Sequence, residues 1–256
     1  MLLAINANNT NVKFSVYDGD RAVGEWRQRT STGRTGDEHA VWLMQLMQLE
    51  GIDPKSIDAA IIATVVPQVL FNLRRLCTRY LDCEPMVLGE ANVDPGAEIR
   101  ATPPVGADRI ANTVGAAVLF PDQPMIIVDI GTATTFDVVN AAGDYCGGVI
   151  APGINLSIEA LHAATTQLPR IVVERPDQVI GTNTVACMHS GVFWGYVGLI
   201  EGIVARIKAE FGEPMRVVST GGLAPVFDGA TEVFEEMVPD ITMRGLLEIY
   251  RRNSGE

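Results

Sequence analysis

Asp129, Gly131, Thr132, Thr134 and Thr135 stand within one run, Ile127-Val128-Asp129-Ile130-Gly131-Thr132-Ala133-Thr134-Thr135-Phe136-Asp137, that suits phosphate or cation chemistry. An apolar strand fixes the carboxylate, glycine lets a backbone come close to a ligand, and hydroxyls and amides donate to oxygens. A half-exposed strand rich in β-branched residues would carry the same threonines. A related run opens the chain, Leu3-Ala4-Ile5-Asn6-Ala7-Asn8-Asn9-Thr10-Asn11-Val12-Lys13-Phe14, with Asn6 in place of the acid and Asn8 in place of the glycine. A third set, Gly106-Ala107-Asp108-Arg109, follows Pro103 and Pro104 at the start of a predicted helix. Free helix N–H groups beside an acid and an arginine suit a polar or anionic small molecule. Asp108 is placed to take a proton from a hydroxyl, and Arg109 to pair a carboxylate or a phosphoryl group. The plainer alternative is an acid satisfying the helix dipole beside a surface arginine.

These residues need elements to carry them. Leu2–Ala7, Val12–Tyr17 and Ala22–Gln28 read as a three-stranded meander with its turn at Asp18-Gly19-Asp20. Helical spacing over Glu38–Glu50, a strand at Ala59–Val65, a helix over Pro67–Tyr80 and a strand at Pro85–Leu88 continue an α/β alternation. After a small-residue helix at Ala107–Phe120 the meander begins again: Met125–Ile130, Thr134–Asn140, a turn at Ala142-Gly143-Asp144, and Tyr145–Ile150. The repeated order predicts an internal duplication with halves at 1–118 and 119–256, facing each other across a ligand cleft. A helix from Ile154 to about Thr165 and a long helix over Thr184–Phe211 follow, then a strand at Val217–Thr220 running into Gly221-Gly222. Gly191, Gly195, Gly198 and Gly202 recur at helical spacing in the long helix. That row predicts close packing against another helix, either within the chain or across a dimer seam.

The bulk properties narrow the class. The chain has 256 residues, 47% of them hydrophobic, enough for a sizeable core. Its net charge of −12 argues against nucleic acid as principal partner. Cys77, Cys83, Cys146 and Cys187 lack metal-ligand spacing and read as reduced, mostly core thiols; His39, His162 and His189 are too scattered to suggest zinc. Neither a membrane span nor a signal peptide is evident, so no membrane partner and a cytoplasmic location are expected.

The segments VGADRIAN (105–112), VDIGTATTFD (128–137), GGVIAPG (147–153), SGVFWGYVGLIEGI (190–203) and STGGLA (219–224), together with the N-terminal turn, resemble the type III pantothenate kinases. This is a branch of the sugar-kinase/actin/Hsp70 fold. The resemblance runs nearly end to end. It implies an α/β protein of two duplicated actin-like (ribonuclease H-like) lobes with a cleft between them. It also implies a homodimer with the active site near its interface, and ATP-dependent phosphorylation of pantothenate, the step that opens coenzyme A synthesis. Carried over by position, Asp108 is the general base, and Gly106, Ala107, Asp108, Arg109 and Thr184 bind pantothenate. The turn Asn6, Ala7, Asn8, Asn9, Thr10, Asn11, Val12 and Lys13 binds ATP with Mg²⁺, and Thr132 also touches ATP. Asp129 holds a monovalent cation, K⁺ or NH₄⁺.

One motif departs from the family pattern. The family's first turn reads Asp-x-Gly-Asn-Thr, whereas this chain has Asn6-Ala7-Asn8-Asn9-Thr10. Asn keeps much of the shape of Asp but lacks the charge that a hard divalent cation needs, and Asn8 puts a side chain where glycine leaves room. The expectation is a pantothenate kinase of reduced activity. The competing one is an inactive paralogue that binds pantothenate or serves regulation.

Overall fold

The structure is a computed structural model describing every residue except Pro103 and Glu256; the expected proline linker therefore lies partly outside the described residues. It contains two five-stranded mixed sheets. The first is built from β1 (Leu2–Ala7), β2 (Asn11–Asp18), β3 (Arg21–Arg29), β4 (Ala59–Thr64) and β5 (Met86–Val87), in the order β3-β2-β1-β4-β5. The second uses β6 (Met125–Ile130), β7 (Ala133–Val139), β8 (Tyr145–Pro152), β9 (Arg216–Thr220) and β10 (Glu236–Met237), in the order β10-β9-β6-β7-β8. Read from the meander outward, the two orders are the same. In each sheet an antiparallel hairpin leads into a third strand, and the central strand pairs in parallel with the next one in sequence.

Every residue of β1 is buried. Side chains alternate across a strand, so its apolar residues divide between two cores. Leu3, Ile5 and Ala7 pack with Leu43, Met47, Leu73 and Leu76 of α1 (Gly36–Leu49) and α2 (Pro67–Tyr80). Leu2 and Ala4 pack with Ala111 and Val114 of α3 (Ala107–Leu119) and with Met243, Leu246 and Ile249 of α6 (Ile241–Ser254). By the same alternation, Asn6 lies on the α3 and α6 face. In the second sheet, Ile126, Val128 and Ile130 of β6 pack with Ile158 of α4 (Ile154–Ala163) and with Phe193, Val197 and Ile200 of α5 (Thr184–Phe211). Asp129 therefore points to the opposite face.

Local chemistry sets the boundaries. Thr35 and Glu38 form a capping box at the start of α1, proline occupies the first turn of α2, and Gly212 in the left-handed region ends α5. The four cysteines are free: Cys77 and Cys83 are buried, Cys146 is half-buried and Cys187 exposed.

Three features differ from what the residues predict. Helix α6 is absent from the sequence reading, and it packs on α3, β1 and β4. The chain accordingly divides into Met1–Phe120 together with the tail from Asp240, and Pro121–Pro239, whereas the sequence puts 119–256 in one lobe. The physical reason is burial: Met243, Leu246 and Ile249 are fully buried against the first sheet. The second concerns the glycine row of α5, for which the within-chain alternative is not met. Side chains added at Gly191, Gly195 or Gly198 would meet nothing within 4 Å, so no helix of this chain packs on that face among the described residues. Close glycine packing occurs instead between α3 and α6, where a side chain on Gly115 would overlap the Ile241 carbonyl and one on Gly245 the Ala111 carbonyl. Third, α5 reaches the length and mean hydropathy, 1.2, of a membrane-crossing helix, although the sequence reading finds no such span. Its Phe193, Val197, Ile200 and Val204 stripe is buried in the second core.

Candidate functional site

In the first unit, the expected ATP turn closes the β1–β2 hairpin. Asn6 opposes Lys13 and Ala7 opposes Val12, leaving four residues in the loop, and Asn8 N–H donates to Asn11 O at 2.9 Å. Thr30 braces the turn from β3, its hydroxyl donating to Asn8 O at 2.6 Å and its N–H to Thr10 O at 3.0 Å. Asn9 and Thr10 are exposed. Asn6 is 6% exposed, and its Oδ1, like that of Asn8, is buried without a hydrogen-bond partner among the described residues. Lys13 is engaged elsewhere, its Nζ lying 3.3 Å from Glu25 Oε1, which also accepts from Ser15. Its charge is therefore largely answered within the sheet.

The expected substrate loop lies beside the same strand ends. Val65 N–H donates to Ala7 O at 3.2 Å, tying the end of β4 to the end of β1. A side chain built on Gly106 would meet Val65 Cγ1 at 3.4 Å and Asp108 Oδ1 at 2.7 Å, so a larger residue there would make the Asp108 carboxylate shift. Asp108 is half-buried in the first turn of α3, its Oδ1 accepting from Arg109 N–H at 2.8 Å. Burial pushes its carboxyl above the usual range, while the Arg109 N–H and guanidinium pull the other way. Both the general-base and the helix-capping reading thus have a physical basis in one residue. The turn and the Asp108 loop meet at the carboxyl ends of the parallel pair β1/β4, where ligands bind in α/β sheets.

Sequence reasoning passed over Thr64–Val66, the segment that joins the two. The available signal was a hydroxyl ending an apolar strand just before proline. Thr64 Oγ1 donates to Ala7 O at 3.1 Å and accepts from Val66 N–H at 3.0 Å, which fixes the strand end.

In the second unit, Asp129 opposes Thr135 on one side and Thr220 on the other. Gly131 N–H donates to Ala133 O at 3.0 Å, closing a three-residue turn that exposes Thr132. A side chain on Gly131 would meet nothing nearer than Asp129 Oδ1 at 3.5 Å, so internal crowding does not demand glycine there. Gly221 is different. It sits at φ +95°, and any Cβ would overlap Asp129 Oδ1 and the Ile130 backbone. Thr184 occupies another part of this unit, the first residue of α5, where Asn183 caps the helix by accepting from Ala186 N–H at 2.9 Å. Leu161, Leu168, Thr182, Asn183, Met188 and Val192 line a pocket around it.

No group of three or more His, Cys, Asp or Glu is arranged to hold a metal among the described residues. For a magnesium nucleotide the first turn is a partial fit. Its two unpartnered amide oxygens are donor atoms waiting for a cation or a proton donor, but they carry no formal charge.

The profile of the type III pantothenate kinases matches residues 2–206. A type III pantothenate kinase of Paramagnetospirillum magneticum is 58% identical over 256 residues, covering 99% of this chain and 98% of that protein. One of Rhodospirillum rubrum is 57% identical over 255 residues, covering 99% of each. Among solved structures, the activator of the 2-hydroxyisocaproyl-CoA dehydratase from Clostridium difficile with bound ADPNP has a TM-score of 0.58 at 14% identity. It covers 99% of this chain and 96% of that one, a likeness of fold alone. By full-length identity and by profile, the chain belongs to the type III pantothenate kinase family.

Proposed function

We propose that this chain phosphorylates the hydroxyl of pantothenate with ATP in the cytoplasm, at the entrance to coenzyme A synthesis, with Asp108 as general base. The observation that carries the reading is the placement of Asp108. It is a half-buried carboxylate of raised pKa at a helix N-terminus, beside the strand ends that carry the Asn6 turn. As the hydroxyl oxygen bonds to the γ-phosphorus and the bond to the bridging oxygen breaks, Asp108 takes the hydroxyl proton and ADP departs. Gly106 and Ala107 bring backbone close to the substrate, and Arg109 offers charge to its carboxylate or to the transferring group. Thr184 contributes a hydroxyl to pantothenate. The Asn6–Lys13 turn and Thr132 hold the nucleotide, and Asp129 holds potassium or ammonium.

When bound, magnesium supplies neutralisation of the phosphate charge. Asn6 and Asn8 offer it amide oxygens only, and on this ground turnover is lower by orders of magnitude than with an Asp-x-Gly turn. That same missing carboxylate favours a second reading, a pantothenate-binding protein without turnover. A homodimer is part of the proposal, supported by the open glycine face of α5 and by exposed Ile150, Leu156 and Leu161. A monomeric mass by light scattering would remove it.

The direct test is pantothenate-dependent ADP formation. Asp108→Asn should lower it by about 10³-fold. In the unsubstituted chain, kcat/KM should be lost as pH falls through a pKa above the usual 3.8, because only the deprotonated carboxylate accepts the proton. Full activity in Asp108→Asn refutes the assignment.

A further inference from the structure

We propose that Asn253 and Arg252, in the last turn of α6, are positioning residues that hold Gly106 and the first turn of α3 in their substrate-binding geometry. The inference rests on the functional reading above and adds residues far from the loop in sequence. Residues 88–106 connect β5 to α3 without a further helix or multi-residue strand among those described; buried Leu88 and Val93 anchor its first part and Ile99 makes an isolated bridge. A segment of that length is free to wander unless something ties it, and ordering it costs conformational entropy each time a ligand needs it in place.

The tie lies near its middle. Asn253 Oδ1 accepts from Asp94 N–H at 2.9 Å, and Asn253 Nδ2 donates to Asp94 O at 2.8 Å. One amide side chain thereby satisfies both backbone groups of a single residue, as a neighbouring strand would. Asn253 Nδ2 also donates to Ile249 O at 2.7 Å, which fixes the amide to its own helix. Two residues along, Arg252 Nη1 donates to Gly96 O at 2.7 Å while its Nε is held by Glu248 at 2.7 Å. Asp94 Oδ1 accepts from Gly96 N–H at 2.8 Å and closes the turn. Gly96 adopts φ +69°, and any side chain there would overlap the Arg252 guanidinium. Residue 96 is thus glycine on two counts, backbone conformation and the approach of Arg252.

The same helix also grips α3. Gly115 and Gly245 let the two backbones touch, and Thr242 Oγ1 donates to Asn112 Oδ1 at 2.6 Å. A single rigid element therefore holds both the midpoint of the connection and the helix that carries Asp108. Only about ten residues are left to span from Gly96 to Gly106. Neither Asn253 nor Arg252 bonds the Asn6 turn, which is held by strand pairing and by Thr30. The clamp should therefore act on pantothenate and leave the nucleotide alone.

The test is titration calorimetry with pantothenate and, separately, with ADP, combined with amide hydrogen exchange. N253A should weaken pantothenate binding about tenfold, the loss of roughly two net hydrogen bonds, and change ADP affinity less than about twofold. Exchange should speed up in residues 94–105. N253D, which keeps the acceptor and loses the donor, should fall between. G96A, built on the other half of the clamp, should reproduce N253A. Equal loss of both ligands would mark a general structural role and overturn the proposal, as would unchanged pantothenate affinity in N253A and G96A. If the unsubstituted chain binds no pantothenate, the functional reading fails. Exchange then decides the clamp alone: faster exchange in residues 94–105 of N253A upholds it and unchanged exchange sinks it.

Discussion

The two sheets share one topology and end their central strands in the same kind of turn, yet the turns are built differently. After β6, three residues close the hairpin, glycine stands where internal space would admit a side chain, and a carboxylate sits beside the strand of Gly221. After β1, four residues close it, and both the acid and glycine positions are asparagine. Backbone pairing and burial of the central strand are common to both. What separates them is charge and open space, the two properties that serve a ligand and contribute little to folding. The first turn shares the hairpin architecture of the second and lacks its carboxylate and its glycine.

The sharpest way to break this comparison is to make the turns alike. Asn6→Asp with Asn8→Gly should raise pantothenate-dependent turnover by about 10²-fold or more, since one metal–phosphate contact is worth several kcal/mol. Equal, substantial rates in both forms would show that the amides suffice and remove the impaired-kinase reading; silence in both would favour a binding protein. The reciprocal change, Asp129→Asn, should cost roughly tenfold in the potassium response and leave magnesium dependence unchanged, read as rate against added salt at fixed ionic strength. A loss of magnesium rather than potassium dependence would mean that the roles of the two turns are exchanged.

A second prediction separates folding glycines from ligand glycines. Gly221→Ala must hold a Cβ at φ +95° against Asp129 and Ile130, and should cost about 2–4 kcal/mol in denaturant unfolding. Gly131→Ala meets no such contact and should move stability by less than about 1 kcal/mol while weakening nucleotide binding. Similar stability losses for both would end the distinction.

The sequence made most elements legible because their signals are local. β1, α2, β6 and α5 run where period and punctuation put them. Helix α6 was missed because its meaning is not local. Its apolar Ile241, Leu246 and Ile249 are interleaved with Arg244, Glu248, Arg251 and Arg252, and Asp240 bonds Arg244 rather than capping the helix backbone. The repeat pattern also assigned the tail to the wrong sheet. The glycines divide for a related reason. On α5, Gly191, Gly195 and Gly198 are conspicuous and face open space, whereas Gly115 and Gly245, single glycines on different helices, carry the close contact within the chain. At the site, residue types were readable, but the position of Val65 between turn and loop required knowing that β4 lies beside β1.

A last prediction distinguishes the two units by acid. His39 lies in the first core, 2% exposed, against Phe14, with neither ring nitrogen hydrogen-bonded among the described residues. Burial lowers its pKa from 6.5 to about 4. The second unit's His162 and His189 are less buried, and each has a polar partner. With the folded pKa below the unfolded one, the stability of neutral His39 is fully present above pH 6.5. It drains away as pH falls towards 4, because the unfolded chain takes up the proton first. The loss should be on the order of 3 kcal/mol at pH 4. Other groups titrate in that range, so the useful quantity is the difference between the chain and His39→Leu. The urea midpoint of His39→Leu should fall less between pH 7 and pH 4.5, and exchange protection should fail in α1 and β2 before α5. Parallel midpoints for the two proteins, or α5 opening first, would mean that acid sensitivity does not reside in the first core.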